Sequence, residues 1–439
     1  MRRLPIGVAY ASTHRNNMHK KIELDNGVRV ILNNMPHMES ATVGVWIATG
    51  SRNEEERISG ISHFLEHMVF KGTPARSTQK IKDEIEGRGG SLNGFTSEEL
   101  TCYLAKVSAR HVNIALDVLS DMALHAKVAK TDLERERNVI IEEIKMYRDL
   151  PNHQVIDILS ELMWPDHALG RSVAGTIGSV SDITQKDLLD YKKMSYTPKN
   201  IVVVLCGKLK EADILKKINT IFSHAPKGGS IPITRFDHEQ VRPQANIFFK
   251  DSEQTRISIG VHAFGRMHKD RYGLTLMHII LGANMSSRLF ENIREKKGLA
   301  YEIGSDVKRY LETGGFVVHA GTSRSQAREV VSLILKELKK VKDAPVSLNE
   351  LKKAKEYFKV QLLLALEDTM DHMLWLGERV VLSGRLPDKK AVIKKIDSVT
   401  RDDLQRIARS IFKTNGLNLA VVGPIKDKEA SQLKKELAL

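Results

Sequence analysis

The sequence predicts an α+β protein made of two homologous domains, and three observations point that way. The chain has 439 residues, 41% of them hydrophobic, which is too much for one ordinary core and enough for two. An offset of 216 residues carries Thr42-Val43-Gly44-Val45-Trp46 onto Ser258-Ile259-Gly260-Val261-His262 and Ile183-Thr184 onto Val399-Thr400. The same offset takes Asp187-Leu188 to Asp403-Leu404 and Val203-Val204-Leu205-Cys206-Gly207 to Leu419-Ala420-Val421-Val422-Gly423. Register kept over that distance marks an internal duplication. Between the copies, Pro226, Gly228, Gly229, Pro232 and Pro243 interrupt helix and strand patterns alike. The expected division is therefore an N-terminal domain over 1–222, a linker over 223–244 and a homologous C-terminal domain over 245–439. Each copy opens on a β-branched strand, runs through helices, and closes with a helix followed by an apolar strand that ends at glycine.

Composition narrows the function. Charged residues make up 28% of the chain, and no apolar stretch reaches the roughly 20 residues that cross a bilayer, so no membrane span is expected. The first acid is Glu23, and the basic N-terminus lacks the apolar core and small-residue cleavage site of a secretory signal. A cytoplasmic protein is the expectation, with an organelle matrix as the alternative if that stretch is a short presequence. Two cysteines, Cys102 and Cys206, build neither a disulfide framework nor a cysteine metal site. The formal net charge of +14 raises nucleic acid as a partner, yet Lys339–Lys342 and Lys352–Lys355 read as solvated helix faces, and aromatics are 5% of residues with no stacking motif. Nucleic acid is therefore not expected as a partner.

Chemistry is concentrated in Gly60-Ile61-Ser62-His63-Phe64-Leu65-Glu66-His67-Met68-Val69-Phe70. Ile61, Phe64, Leu65, Met68 and Val69 recur at helical spacing and face a core, so His63 and His67, four apart, project from one face. Two imidazoles at that spacing fill two positions of a tetrahedral zinc ion, leaving one for a third ligand and one for water. Glu66 stands beside the metal, where a general base belongs. The bland alternative is a pair of histidines on a half-exposed helix, so an independent partner is needed. Thr131-Asp132-Leu133-Glu134 has the form of a capping box and predicts a helix start. Beyond it, Glu136, Ile140, Glu143 and Tyr147 share one stripe, and acids on an apolar stripe require a partner or a metal.

Taken together, HFLEHMVFKGT (His63 to Thr73), GGSLNGFTSE (Gly89 to Glu98) and ERERNVIIEEI (Glu134 to Ile144) resemble the inverted-motif H-x-x-E-H zinc metallopeptidases, the family of pitrilysin, insulin-degrading enzyme and mitochondrial processing peptidase. The resemblance implies two homologous domains of the processing-peptidase or LuxS-like metallohydrolase type, each a mostly antiparallel sheet flanked by helices. It implies one Zn2+ per chain, held by His63, His67 and Glu143, the last separated from His67 by 75 residues as the family pattern requires. Glu66 is then the base, and Glu136 supports the site without binding metal. Asn93 and Gly94 fall on the segment where a peptide substrate adds as a strand to a sheet edge. In the second copy, Arg294 and Tyr301 match the pair that reaches over a zinc site near the scissile bond, with the chemistry of an oxyanion hole. Family architecture further implies a homodimer enclosing a chamber, in which Arg294 and Tyr301 complete the partner's site, and a zinc-dependent endopeptidase acting on unfolded peptides or flexible termini. The noncatalytic subunit's glycine-rich loop is absent, with Leu281-Gly282-Ala283-Asn284 in its place, so the likeness is to the catalytic, β-type or bacterial single-component members. The rival reading keeps the fold as a structural subunit, but such relatives lack part of the zinc set. Positions equivalent to His63, Glu66 and His67 in the second copy are Ile279, Gly282 and Ala283, so the motif is not a requirement of the fold. Glu54, Glu55, Glu56, Glu98 and Glu99 are expected to make the catalytic neighbourhood acidic.

Overall fold

The computed structural model describes residues 14–16, 19–223, 225, 229, 231, 233–237 and 239–439. The N-terminal stretch before residue 14 and Pro226, Gly228 and Pro232 of the expected linker lie outside the described residues. The described residues form two compact units, one drawn from within 1–144, 172–234 and 363–388, the other from within 145–171, 235–362 and 389–439.

The first unit is built on a seven-stranded sheet of β1 (His14–Asn16), β2 (His19–Glu23), β3 (Arg29–Asn34), β4 (Ser40–Ile47), β5 (Ser91–Thr96), β6 (Thr101–Ser108) and β7 (Ile201–Gly207), in the order β1-β2-β3-β7-β4-β6-β5. The second has five strands, β8 (Gln244–Phe249), β9 (Thr255–Phe264), β10 (Glu302–Arg309), β11 (Thr313–Thr322) and β12 (Asn418–Gly423), ordered β10-β11-β9-β12-β8. That order repeats β5-β6-β4-β7-β3, and in each sheet the one parallel pair sits at the same place, β3 with β7 and β8 with β12. Every other pairing is antiparallel. The closing helices also match: Thr184 and Thr400 each accept from the amide three residues on and receive that residue's aspartate in return, a capping box in both copies.

Four helices matter below: α1 (Ile61–Val69), α2 (Lys130–Asp149), α3 (Pro151–Met163) and α4 (Thr369–Ser383). Alternation along the strands gives the first sheet two apolar faces. One, with Val43, Val45, Tyr103, Val203 and Leu205, packs on α1 and its neighbours. The other, with Ile31, Trp46, Cys102, Leu104, Val202, Val204 and Cys206, is covered by Met373, Leu376, Val380 and Val381 of α4. The corresponding face of the second sheet, at Val317, Ala420 and Val422, is covered by Val155, Leu159 and Met163 of α3. Each unit thus takes one helix from the other half of the sequence. A division at 222 and 245 accounts for the strands but not for these helices, because an amphipathic helix packs wherever an uncovered sheet face lies within reach. Equivalent glycines, Gly44 on β4 and Gly260 on β9, leave room for Met373 and Met163, whose sulfur atoms occupy the space a Cβ would need. Among the described residues no helix is long and apolar enough to cross a membrane.

In the second unit, Arg288 lies within the Arg/Tyr signature segment but serves the fold. Its Nε and Nη2 donate to Glu350 Oε1 and Oε2 at 2.6 and 3.0 Å. Glu350 also accepts from the Ser347 amide and so caps the helix Leu348–Ala365.

Gly44→Ala and Gly260→Ala are each expected to destabilise their unit by about 1–3 kcal/mol through overpacking in urea unfolding, whereas Gly416→Ala, with no atom near its added Cβ, should be close to neutral. The Arg288 hydrogen bond holds the Glu350 carboxyl down at about 2. A depressed folded-state pKa contributes stability that is full above the unfolded value of about 4.3 and is lost as pH falls toward 2. Glu350→Gln should therefore flatten the acid limb of stability between those values while lowering stability at neutral pH.

Candidate metal centre

α1 is seated by its apolar face: Ile61, Phe64, Leu65, Met68 and Val69 are fully buried. Its rotation is fixed at the N-terminus, where Glu54 accepts from the Gly60 amide at 2.7 Å and the Ser62 amide at 2.8 Å. A carboxylate there satisfies orphan amides and faces the positive end of the helix. The Ser62 hydroxyl pairs with Tyr191 Oη at 2.8 Å. The remaining face carries His63 and His67, ring centroids 4.8 Å apart.

Glu143 reaches them from α2. Its Oε2 is 3.8 Å from His63 Nε2 and 3.6 Å from His67 Nε2, and one donor atom from each of the three lies within 4.8 Å of the others. Zinc bonds of roughly 2.0–2.1 Å in a tetrahedron separate ligand atoms by about 3.4 Å, so the two Glu143 contacts are within a few tenths of an ångström of that spacing, and the three donors suit the ion once they draw in around it. The tautomer suits it too. His67 Nδ1 faces Glu136 Oε2 at 3.2 Å, so a proton there leaves the Nε2 lone pair aimed at Glu143. Burial, and secondarily the charge of His67, push His63 down to about 4, so its imidazole is neutral at pH 7 and able to ligate.

Glu66 is 9% exposed, and its Oε2 accepts from Thr96 Oγ1 at 2.7 Å. Burial raises its carboxyl above the usual range, opposed by the Thr96 hydroxyl and His67 and helped by Glu143. Thr96 ends β5, which is an edge strand of its sheet. Gly94, two residues earlier on the same strand face, runs close to the base: a Cβ there would lie 3.1 Å from the Phe70 ring and 3.3 Å from Glu66 Oε1. Asn93 belongs to the opposite strand face, and its Oδ1 accepts from the Gly94 amide at 2.8 Å.

Of the residues picked from sequence, the structure gathers His63, His67, Glu143, Glu66, Glu136 and Gly94 in the first unit. Arg294 and Tyr301 lie together in the second. Arg294 sits on a π-helical turn, Phe290–Glu295, its guanidinium 4.6 Å from the Phe290 ring centroid and 5.5 Å from that of Tyr301. Tyr301 is 76% exposed. Thr96 and Lys71, which contacts Glu136, fall inside the segments that carry the resemblance but take no role from sequence, since a lone threonine and a lone lysine match no spacing rule.

Two expectations are corrected. α2 begins at Lys130 rather than after a Thr131 cap; Ala129 O accepts from the Asp132 and Leu133 amides, so Thr131 falls inside the first turn. Glu54 and Glu99 are not free acids near the site. Glu54 caps α1, and Glu99 pairs with Arg52 at 2.5 Å with both side chains buried. In the second copy, Ile279 is buried in the helix Arg271–Leu281, and Gly282 ends that helix.

The family described as insulinase (peptidase family M16) matches residues 29–177, and the M16 inactive domain matches residues 182–358. A protein named uncharacterized zinc protease YmxG, from Bacillus subtilis, is 36% identical, over 93% of this chain and 98% of its own length. Another so named, from Streptomyces coelicolor, is 32% identical over 95% of this chain and 92% of its own. Among solved structures, a protease from Helicobacter pylori shares the fold with a TM-score of 0.87 at 24% identity, covering 92% of this chain and 99% of that one. A chain of Complex III2 from Candida albicans does so at 0.84 and 20%, covering 96% and 100%. Both family domains in order, and sequence identity along nearly the whole length of two relatives, mean that this chain belongs to peptidase family M16 and is a zinc metallopeptidase.

Proposed function

We propose that the chain is an endopeptidase that cuts unfolded peptides or flexible protein termini, with one zinc ion held by His63, His67 and Glu143 and with Glu66 as general base. The observation that carries this reading is the convergence of those three donors beside a buried carboxylate and an open strand edge at Gly94. Bound there, zinc supplies Lewis acidity to the scissile carbonyl and makes water a nucleophile near neutral pH. Glu66, held by Thr96 and made more basic by burial, takes a proton from the attacking water and returns it to the leaving amine. The edge of β5 offers unpaired backbone groups to an extended peptide, which favours unfolded substrates over folded ones. Gly94 leaves the space between that strand and Glu66 clear.

A homodimer is part of the reading. Arg294, half-buried, and Tyr301, exposed and beside it, present a guanidinium and a phenol suited to charge developing on a carbonyl oxygen, and each pair is proposed to serve the other protomer's zinc. Cytoplasmic work is supported by two buried, unbridged cysteines.

Glu66→Gln should retain zinc while losing about 10²–10⁴-fold in kcat/KM on a mixed library of unstructured peptides; undiminished cleavage would remove Glu66 from the mechanism. Glu66→Gln and Arg294→Ala proteins, each inactive alone, should recover about a quarter of wild-type activity when refolded together in equal amounts, since half the dimers then hold one complete site. No recovery from the mixture would mean that each protomer uses its own arginine or works alone.

A further inference from the structure

We infer that Lys71 is a positioning residue for the metal centre, acting through Glu136 on the orientation of His67. The inference rests on the zinc reading above and adds to it a residue to which nothing has so far assigned a role. Lys71 follows the C-terminal residue of α1 by one position past Phe70, and its amide donates to Met68 O at 3.0 Å, which fixes the root of the side chain. Its Nζ lies 2.6 Å from Glu136 Oε1, while the other oxygen, Oε2, lies 3.2 Å from His67 Nδ1. Each oxygen of the carboxylate therefore has one partner. A carboxylate held at a single oxygen swings about its last torsion; one held at both is fixed in plane and direction, and so is the imidazole it receives from.

Burial makes the contact more than a surface ion pair. The Glu136 side chain is 10% exposed and that of Lys71 30%, so the pair is partly shielded from the solvent that weakens exposed bridges. Three carboxylates, Glu66, Glu136 and Glu143, gather around the two imidazoles, and Lys71 supplies a positive charge to that group. It does so at the oxygen of Glu136 that does not face His67. Outer-shell partners that touch a ligand, as Glu136 does, typically govern metal affinity by about 10–100-fold, which is the ceiling on what Lys71 contributes through it.

The test is zinc affinity by competition with a chromophoric chelator, using Zn2+ alone as probe and the full-length protein. Lys71→Met is expected to bind zinc more weakly than wild type, by up to about 10–100-fold, the loss that removal of Glu136 itself would bring, and Lys71→Arg, which restores a cation in reach of Glu136, to recover most of the loss. Because Lys71 acts through Glu136, adding Lys71→Met to Glu136→Gln should weaken binding no further. Metal-free thermal unfolding reads any loss of stability from the broken pair separately from zinc affinity, and the imidazole nitrogen resonances of His67 should change from one tautomer to a mixture. Equal or tighter zinc binding by Lys71→Met, or a full additional loss in the Glu136→Gln background, would overturn the inference while leaving the zinc reading intact. Wild-type protein that binds no zinc would overturn the zinc reading itself, and the role of Lys71 with it.

Discussion

The rest of the site depends on the rotation of one short buried helix. α1 has nine residues, and one residue's slip would turn its faces by about 100°, burying the imidazoles and exposing Phe64 or Leu65. Five apolar side chains hold the rotation from below, and Glu54 and Tyr191 hold it from the N-terminal end. Only with that rotation settled do His63 and His67 both meet Glu143, a residue far along the chain on α2. The metal centre is thus a by-product of packing at one end and of long-range helix placement at the other. The sheet contributes the third component, since β5 passes Gly94 and Thr96 beside Glu66.

Much of this could be read in the sequence. The helix around His63 shows in its apolar period, the duplication in a constant offset, and the third ligand in an interval that only a family resemblance makes meaningful. What could not be read is decided by the three-dimensional placement of partners, some near in sequence and some remote, which no residue pattern specifies. Glu54 counts as a solvated acid until the fold brings two orphan amides to it. Thr131 has the local form of a cap, yet the helix starts at Lys130 because Ala129 already accepts the first amides. Thr96 and Lys71 have meaning only through the carboxylates they touch. The exchange of α3 and α4 between units is invisible locally, since an amphipathic pattern says that a helix is covered on one face and not by which sheet.

Comparing the two copies separates scaffold from chemistry. Both keep the capping boxes at Thr184 and Thr400, the parallel pair at the same sheet position, and the glycine under a methionine of the borrowed helix. Where the first copy has its imidazoles and base, the second has Ile279, Gly282 and Ala283. Duplication preserved what the cores need, while the metal set stands in one copy and the pair of Arg294 and the exposed Tyr301 in the other.

The borrowed helix also sets an order on synthesis. The sheet behind the metal centre is formed from residues that all precede 208, but the cover for Trp46, Cys102, Val202 and Cys206 comes from Met373 to Val381. A chain emerging from the ribosome therefore carries a half-covered apolar sheet through the making of more than a third of its length. At about 5–20 residues per second that exposure lasts on the order of ten seconds or more. Cover for that face is thus set by topology: residues made late in the chain complete a sheet made early.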